Sequence, residues 1–160
     1  MKVSIVEFPE TKVASILHKG SPETEHDTVM KLVQWKIQNQ YLDQTKHRNY
    51  GLHHIPEKFS KPADHRVDFC LSVDSEVAPN EFGIFDSTIP ACRCALARDV
   101  GSRSNNQAVK YLINEWLPRS QERLSGEPII FHYVNVGPNV KEDEAITDVY
   151  LPLQQQSEEQ

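Results

Sequence analysis

An internal repeat is the feature that most constrains the fold of this chain. Residues 8–21 align without a gap on residues 89–102. Identical residues fall in register at four places: Pro9 with Pro90, Ala14 with Ala95, Gly20 with Gly101, and Ser21 with Ser102. The same frame places Trp35 on Trp116, and after a slip of one residue Asp68 meets Asp148. A repeat of this kind predicts two copies of one supersecondary unit.

Hydrophobic periodicity predicts the order β-β-α-β-β in the first unit. Apolar and β-branched runs indicate four strands, at Lys2–Phe8, Lys12–His18, Tyr50–Ile55 and Arg66–Asp74. Pro9 and Glu10 between the first two strands are typical of a hairpin connection. A helix is expected after Ser21-Pro22, with its apolar stripe at Val29, Leu32, Val33 and Ile37.

The second unit repeats this order. Its strands are expected at Glu81–Ser87, Cys92–Arg98, Ile129–Asn135 and Ala145–Leu153. The core stripe of its helix is formed by Val109, Leu112, Ile113 and Trp116. Because proline lacks an N–H donor and disrupts a helix interior, Pro118 is expected to end this helix.

These patterns predict an α+β fold with tandem duplicated β-β-α-β-β units. The units form a mostly antiparallel sheet of about eight strands, with two long helices on one side. We expect one domain over residues 1–153, made of pseudo-repeats 1–79 and 80–153, long equivalent loops at Pro56–Asp64 and Pro138–Glu144, and a frayed tail at 154–160. A doubly wound parallel sheet is disfavoured because turns join consecutive strands.

Charge and composition exclude several classes of function. The net charge is −6, and 17 Lys and Arg residues are scattered along the chain, so direct nucleic-acid binding is not expected. The acidity either favours cationic ligands slightly or only aids solubility. No apolar run approaches the roughly 20 residues of a membrane span, and three cysteines make no disulfide framework. We expect a soluble, cytoplasmic protein.

Motifs for chemistry are sparse. The chain has no phosphate-binding glycine loop and no H-E-x-x-H motif, so no cofactor is expected. His53 and His54 are adjacent and should point to opposite faces of a strand, whereas Cys92 and Cys94 share a face but have no further ligands nearby. We therefore predict no metal site, and without a nucleophile elbow we assign no catalytic residue.

The equivalent carboxylates Asp68 and Asp148 allow two interpretations. They could approach one another near the pseudo-twofold axis, where one of them would hold a raised pKa. Alternatively, each forms hydrogen bonds within its own strand and loop. The repeat alone does not choose between these arrangements.

Aromatic residues provide the main functional signal. A concave site for flat molecules is lined mainly by apolar and aromatic side chains with a few polar groups. The candidates are Trp35 and Trp116 on the helices, with Tyr50, Phe69, Phe131, Tyr133 and Tyr150 on the strands. For any one of these residues, core filling is the better explanation, but the set as a whole favours a cleft at the junction of the repeats.

Several short motifs, in order, resemble a known family. They are the Gly20 turn, Gly51-Leu52, Arg66-Val67-Asp68, Thr88-Ile89-Pro90-Ala91, the helical run from Tyr111 to Pro118, and the ending from Thr147 to Leu153. Over Val3 to Leu153 the chain resembles the GyrI-like, or AraC-type effector-binding, family. The resemblance implies two β-β-α-β-β units whose junction binds lipophilic cations and aromatic compounds. Because the chain begins directly at the first strand, it resembles the stand-alone members and not those fused to helix-turn-helix domains.

The chain departs from this family at one position. Members commonly have a glutamate on the seventh strand that can face a cationic ligand, and some use that acid for hydrolysis; here Phe131 occupies the position, while Tyr133 is retained. A cation would then be held by aromatic faces, with Glu115 or Asp148 as acidic contacts.

The sequence therefore predicts a non-enzymatic binder of small lipophilic, aromatic or cationic molecules, used in drug sensing or sequestration. Stacking is expected from Trp35, Trp116, Phe131 and Tyr133, and hydroxyl contacts from Tyr50 and Tyr150. Two alternatives stay open. One is a small-molecule hydrolase with Asp148 or Asp68 as the base, and the other is a protein-interaction module that modulates gyrase or a transcription regulator.

Overall fold

The computed structural model describes residues 1–54 and 65–155. These residues form eight antiparallel strands: β1 (Ser4–Phe8), β2 (Thr11–Lys19), β3 (Asn49–His53), β4 (Arg66–Ser72), β5 (Phe85–Ile89), β6 (Cys92–Val100), β7 (Ile129–Tyr133) and β8 (Ile146–Pro152). Ile55, the predicted loop at Pro56–Asp64 and the end of the predicted tail, at 156–160, lie outside the described residues.

Two helical segments follow β2 and β6. The first is α1 (Glu25–Gln38), which a 3-10 turn at Pro22–Thr24 precedes. The second consists of α2 (Gln107–Tyr111), a π-helical turn (Leu112–Trp116) and α3 (Leu117–Ser120). The side chain of Asn106 caps α2, because its Oδ1 accepts a hydrogen bond of 3.0 Å from the Val109 N–H. Shorter 3-10 turns lie at Arg103–Asn105 and Glu142–Glu144.

The helix predicted to end near Pro118 continues to Ser120, so that prediction was wrong. Pro118 lies in the first turn of α3, directly after the π-helical turn. The preceding turn is π-helical, with the Leu117 N–H donating to the Leu112 backbone oxygen five residues earlier, so the regular helical hydrogen bonding is already interrupted where the proline enters.

The sheet order confirms the predicted α+β fold and shows its pseudo-twofold symmetry. The order is β1-β6-β8-β7-β3-β4-β2-β5, in which each strand of one unit mirrors its counterpart in the other about the β3–β7 pair. The first strand of each unit is exchanged: β1 pairs with β6, and β5 pairs with β2. The hairpin expected between β1 and β2 is therefore wrong, because each of these strands finds its partners in a different half of the sheet.

This exchange forces the sheet to curl. In a flat sheet, β1 and β2 would be six strand spacings apart, or about 29 Å. Only Pro9 and Glu10 separate the two strands, and the three residue steps from Phe8 to Thr11 span at most about 11 Å. The two ends of the sheet must therefore approach one another.

Three hydrophobic clusters fill the resulting layers. One lies between α1 and the first half of the sheet and includes Leu32, Trp35 and Phe69. A second lies between α2 and the second half and includes Ala108, Leu112 and Phe131. The third combines strands of both halves on the face away from the helices, which is the inner face of the curl; its members are Phe8, Val13, Tyr50, Cys70, Ile89, Cys94 and Ile130.

No helix within the described ranges has the length and apolarity needed to cross a lipid bilayer.

Phe8 provides a test of the strand exchange. Its side chain is 3% exposed and packs edge-on against the rings of Tyr50 and Tyr150, with centroid distances of 5.8 and 5.1 Å. We expect Phe8→Ala to lower the free energy of unfolding by about 3–5 kcal/mol, because it leaves a cavity where β1 joins the second half.

The matched control is Phe85→Ala on β5, where the side chain is 48% exposed. This change should cost less than about 1 kcal/mol. Urea unfolding followed by circular dichroism measures both values, and equal costs would contradict the proposed anchoring of β1.

Candidate functional site

A cleft of about 1010 Å³ lies on the helix-bearing face of the sheet, above the central strands β3 and β7. One wall is α1, from which Val29, Val33 and Ile37 point into the cleft. The opposite wall comes from the start of the second helical segment, around Asn106 and Val109. Because each helix packs on its own half of the sheet, the space over the junction between the halves stays open.

The floor depends on a close contact between Gly51 and Tyr133. Gly51 on β3 lies opposite Phe131 on β7, and a Cβ placed on Gly51 would collide with the Tyr133 hydroxyl group and lie 3.0 Å from its Cζ. The Tyr133 ring therefore crosses the strand where Gly51 has no side chain. Tyr133 packs against both helix-side clusters, and burial raises the pKa of its hydroxyl group.

His53 completes this part of the floor. Its Nε2 lies 3.1 Å from the Tyr133 hydroxyl oxygen, and its ring centroid lies 4.2 Å from that of Phe131. Burial lowers the pKa of His53 to about 4, so the ring is neutral near pH 7. His53 and Tyr133 thus offer a ligand a neutral hydrogen-bonding pair beside an aromatic surface.

A row of polar residues crosses the sheet at one end of the cleft. Asn49 on β3, Tyr133 on β7 and Thr147 on β8 are neighbours in strand register. Lys36 Nζ donates to Asn49 Oδ1 at 3.4 Å, and Arg103 Nε donates to Thr147 Oγ1 at 3.2 Å. Two cationic side chains therefore flank this row.

Arg103 is also fixed by other contacts. Its guanidinium carbon lies 5.2 Å from the centroid of the Tyr133 ring. Its Nη2 donates to the backbone oxygens of Asn135 and Ile146 at 2.8 and 3.1 Å. Burial lowers the pKa of both Arg103 and Lys36, which reflects the cost of holding these charges away from water.

The other charged lining residues are Lys110 and Glu25. Lys110 Nζ donates to Asn105 Oδ1 at 2.7 Å. Glu25 Oε1 lies 2.5 Å from His65 Nε2, so this carboxylate already has a partner. Over the residues that the structure describes, the cleft is thus lined by three cations and one occupied acid.

At the rim of the cleft, the side chain of Gln44 joins its own loop to the loop that contains Val136. Gln44 Nε2 donates to the backbone oxygen of Val136 at 2.8 Å, and the Val136 N–H donates to Gln44 Oε1 at 3.0 Å. Leu42, on the same loop as Gln44, lines the cleft and is 56% exposed. The mouth is therefore apolar and is held by hydrogen bonds to the backbone.

The structure brings together some of the predicted aromatic residues. Phe69, Phe131 and Tyr133 line the cleft. Tyr50 borders it, but the Tyr50 ring belongs to the inner-face cluster and lies 5.1 Å from the ring of His132. Tyr150 packs against that inner-face cluster as well.

The two tryptophans lie outside the cleft lining. Trp35 is 5% exposed and packs in the core under α1, with its ring 5.3 Å from that of Tyr41. Trp116 is half-buried against the cluster under the second helical segment. Their predicted role in ligand stacking stays a prediction.

The candidate acids also lie outside the lining. Glu115 is exposed on the second helical segment. Asp148 accepts hydrogen bonds of 2.7 and 3.0 Å from Nε and Nη2 of Arg98. Asp68 contacts Arg66 and His54, at 3.4 and 3.2 Å. Each of the two equivalent carboxylates thus has its own basic partner. The partner of Asp148 lies on the neighbouring strand β6 and not within its own strand or loop.

The predicted geometry of the His and Cys pairs agrees with the structure. His53 lies at the cleft, whereas His54 contacts Asp68 on the other face of the sheet. Cys92 and Cys94 share a face, with 3.3 Å between their sulfur atoms. Within residues 1–54 and 65–155 there is no group of three or more His, Cys, Asp or Glu side chains that could hold a metal ion.

Four polar residues of the site were not predicted from the sequence: Asn49, His53, Lys36 and Arg103. A signal for two of them was available, because Asn49 and His53 lie two residues on either side of Gly51 and so share its face of the strand. No comparable pattern marks Arg103, whose position depends on contacts with residues more than thirty positions away.

Comparisons with known proteins agree with this architecture. The model of the GyrI-like small molecule binding domain matches residues 1–154. The chain is 32% identical over 154 residues to the probable transcriptional regulator YgiV of Escherichia coli K12, and the match covers 96% of each chain.

Two solved structures share the fold. The EcmrR C-terminal domain superposes with a TM-score of 0.73 at 19% identity, over 96% of this chain and 97% of that one. The structure of SAV2435 bound to tetraphenylphosphonium superposes with a TM-score of 0.54 at 13% identity, over 96% and 94% of the two chains.

The contact between Gly51 and Tyr133 can be tested with a double-mutant cycle. Gly51→Ala should lower the free energy of unfolding by about 1–3 kcal/mol, because the added methyl group displaces the tyrosine ring. Tyr133→Phe removes the hydroxyl group, so the double variant should be more stable than the sum of the single effects by about 1 kcal/mol. Strictly additive costs, measured by urea unfolding, would contradict the contact.

The low pKa of His53 predicts a pH dependence of stability. The unfolded chain binds a proton on this residue below about pH 6.5, whereas the folded chain does so only below about pH 4. The stabilisation is therefore complete above pH 6.5 and is lost as the pH falls through this window.

At about 1.4 kcal/mol for each pH unit, the wild type should lose about 3 kcal/mol more than His53→Asn between pH 7 and pH 4. Urea unfolding across this range provides the comparison. Parallel stability curves for the two proteins would show that His53 does not carry the depressed pKa.

Proposed function

Since the chain belongs to the GyrI-like family of small-molecule-binding domains, we propose that its cleft at the junction of the two repeats binds a small amphipathic, aromatic molecule. One observation carries this proposal. A cleft of about 1010 Å³ has mainly apolar walls and a few polar side chains that converge on its floor. Its volume is at the upper end of the range that drug-sized ligands occupy.

The residues at the cleft have two roles in ligand recognition: some provide apolar contact, and others provide hydrogen bonds. Phe69 and Phe131 offer aromatic surface from the floor, and the aliphatic side chains of α1 cover the opposite side of the ligand. The neutral pair of His53 and Tyr133 provides hydrogen bonds that fix its orientation. Burial of apolar surface supplies most of the affinity, and the polar groups supply most of the discrimination.

The biological role that we propose is drug sensing or sequestration. YgiV is named as a probable transcriptional regulator, which supports a sensing role for a domain of this kind. SAV2435 has been captured with tetraphenylphosphonium, a lipophilic aromatic cation, which supports binding of lipophilic aromatic molecules by this fold. Direct contact with nucleic acid is not part of the proposal.

Binding is favoured over hydrolysis for a structural reason. Phe131 stands where relatives are expected to have an acid, and the alternative bases Asp148 and Asp68 are each engaged by a basic side chain outside the cleft. The interaction alternative, in which the protein modulates gyrase or a transcription regulator, stays a prediction.

Titration with N-phenyl-1-naphthylamine tests the proposal, because this neutral probe becomes fluorescent in apolar surroundings. We expect saturable binding at one site per chain. Phe131→Ala should weaken it about tenfold through lost aromatic contact, and Val33→Trp should weaken it at least as much, because the indole occupies part of the cleft beside α1.

Phe85→Ala is the control, since Phe85 is exposed on an edge strand away from the cleft. The same titration of Trp116→Ala tests the predicted stacking by that residue. If binding is saturable but insensitive to both Phe131→Ala and Val33→Trp, the ligand site lies elsewhere.

A further inference from the structure

We infer that the ligand of this cleft carries an anionic group, such as a carboxylate, which Arg103 and Lys36 hold over the ring of Tyr133. This inference rests on the proposed function and gives its ligand a charge. It differs from what the family resemblance implies, which is a site for lipophilic cations and aromatic compounds.

The charges at the cleft point to an anion. Lys36, Arg103 and Lys110 line it, and none of the three forms a salt bridge with a carboxylate in the part of the chain that the structure describes. Their hydrogen-bond acceptors are neutral side-chain or backbone oxygens. Glu25, the acid among the described lining residues, is already engaged by His65. A cationic ligand would therefore meet an excess of positive charge.

The positions of two of these cations define where the anion would lie. Asn49, Tyr133 and Thr147 are adjacent across three strands, so the ends of this row are about 10 Å apart. Lys36 contacts the Asn49 end, and Arg103 contacts the Thr147 end and lies over the Tyr133 ring. A carboxylate above Tyr133 would lie between two positively charged groups.

An unpaired donor lies at the same place. Asn49 Nδ2 is buried and has no hydrogen-bond partner among the described residues. Because Lys36 donates to Asn49 Oδ1, the amide orientation is set and Nδ2 is left to donate. A buried donor without a partner is costly, and a ligand oxygen would satisfy it.

Lys36 and Arg103, which are half-buried, would also gain from a negatively charged partner. Partial burial of a positive charge without a carboxylate partner is unfavourable, and a charge-assisted hydrogen bond to a ligand anion would offset this cost. Nε and Nη2 of Arg103 already donate to protein oxygens, whereas Nη1 donates no hydrogen bond within the part of the chain that the structure describes and is left for a ligand oxygen. Arg103 is held in place by the Asn135 and Ile146 backbone oxygens before any ligand arrives.

A series of naphthalene compounds that differ in charge tests the inference. 2-Naphthoate is anionic, 2-naphthamide is a neutral molecule of nearly the same shape, and naphthalen-2-ylmethanamine is cationic at pH 7. Their affinities are measured by displacement of N-phenyl-1-naphthylamine and by calorimetry. We expect 2-naphthoate to bind about tenfold more tightly than the amide, as for hydrogen bonds to charged groups, and the amine to bind most weakly.

Variants identify the groups responsible. Lys36→Met and Arg103→Gln should each weaken binding of 2-naphthoate about fivefold and leave the amide within about twofold, since only the anion uses these charges. Lys31→Met is the matched control, because Lys31 is an exposed lysine of α1 that does not line the cleft. It should leave all three affinities unchanged.

Asn49→Asp keeps the shape of the side chain and places a negative charge in the row. It should invert the preference, so that the amine binds more tightly than 2-naphthoate. The result for Asn49→Asp does not depend on whether Arg103→Gln keeps its structure. Loss of structure would lower the affinity for every compound, whereas Asn49→Asp should raise the affinity for the amine.

The outcomes separate the two proposals. If the amide or the amine binds the wild type as tightly as 2-naphthoate does, the anion inference is wrong and the proposed function stands. The same holds if Lys36→Met and Arg103→Gln weaken all three compounds equally. If neither the fluorescent probe nor any naphthalene compound binds, the proposed function fails and the anion inference fails with it.

Discussion

The pairing of β3 with β7 is the constraint on which the rest of the structure depends. These strands join the two halves of the sheet and lie at the pseudo-twofold axis. Gly51 on β3 has no side chain, and the ring of Tyr133 on β7 occupies the space that a side chain would fill. One glycine thereby sets the position of the tyrosine, the histidine bonded to it, and the floor of the cleft.

Much of the fold could be predicted from the sequence, because repeat and periodicity report on local structure. Seven of the strands and the start of α1 follow from these patterns, and Trp35 and Trp116 lie on helices as expected. The strand predicted at Glu81–Ser87 is found at Phe85–Ile89 instead. Strand pairing could not be predicted in the same way. Pro9 and Glu10 are compatible with a hairpin, and only packing across the whole sheet places β1 beside β6.

The site was less predictable, for a physical reason. Apolar clusters cover both faces of the central strands, so alternation does not identify which face bears the helices. Tyr50 and Tyr133 are both aromatic residues on central strands, yet only the second points into the cleft. A polar residue such as Asn49 alternates with apolar neighbours in the same way whether its side of the strand faces solvent or forms the floor of a cleft.

The symmetry of the scaffold does not extend to the chemistry of the cleft. With the repeat offset of the two Trp residues, Lys36 corresponds to Leu117, Arg103 to Pro22, Lys110 to Val29, and Glu25 to Asn106. Each charged residue at the cleft thus has an uncharged counterpart. A symmetric ligand would leave part of this arrangement unused, whereas a molecule with one polar end can satisfy it in a single orientation.

The exchanged first strands have a consequence for the origin of such a chain. A single β-β-α-β-β unit folded alone would leave its second strand without the neighbour that the other unit provides. Two separate copies could satisfy one another by trading first strands, as in a domain-swapped homodimer. Fusion of the copies makes this trade intramolecular and independent of protein concentration. It also frees the two halves to diverge, which an obligate homodimer of identical subunits cannot do.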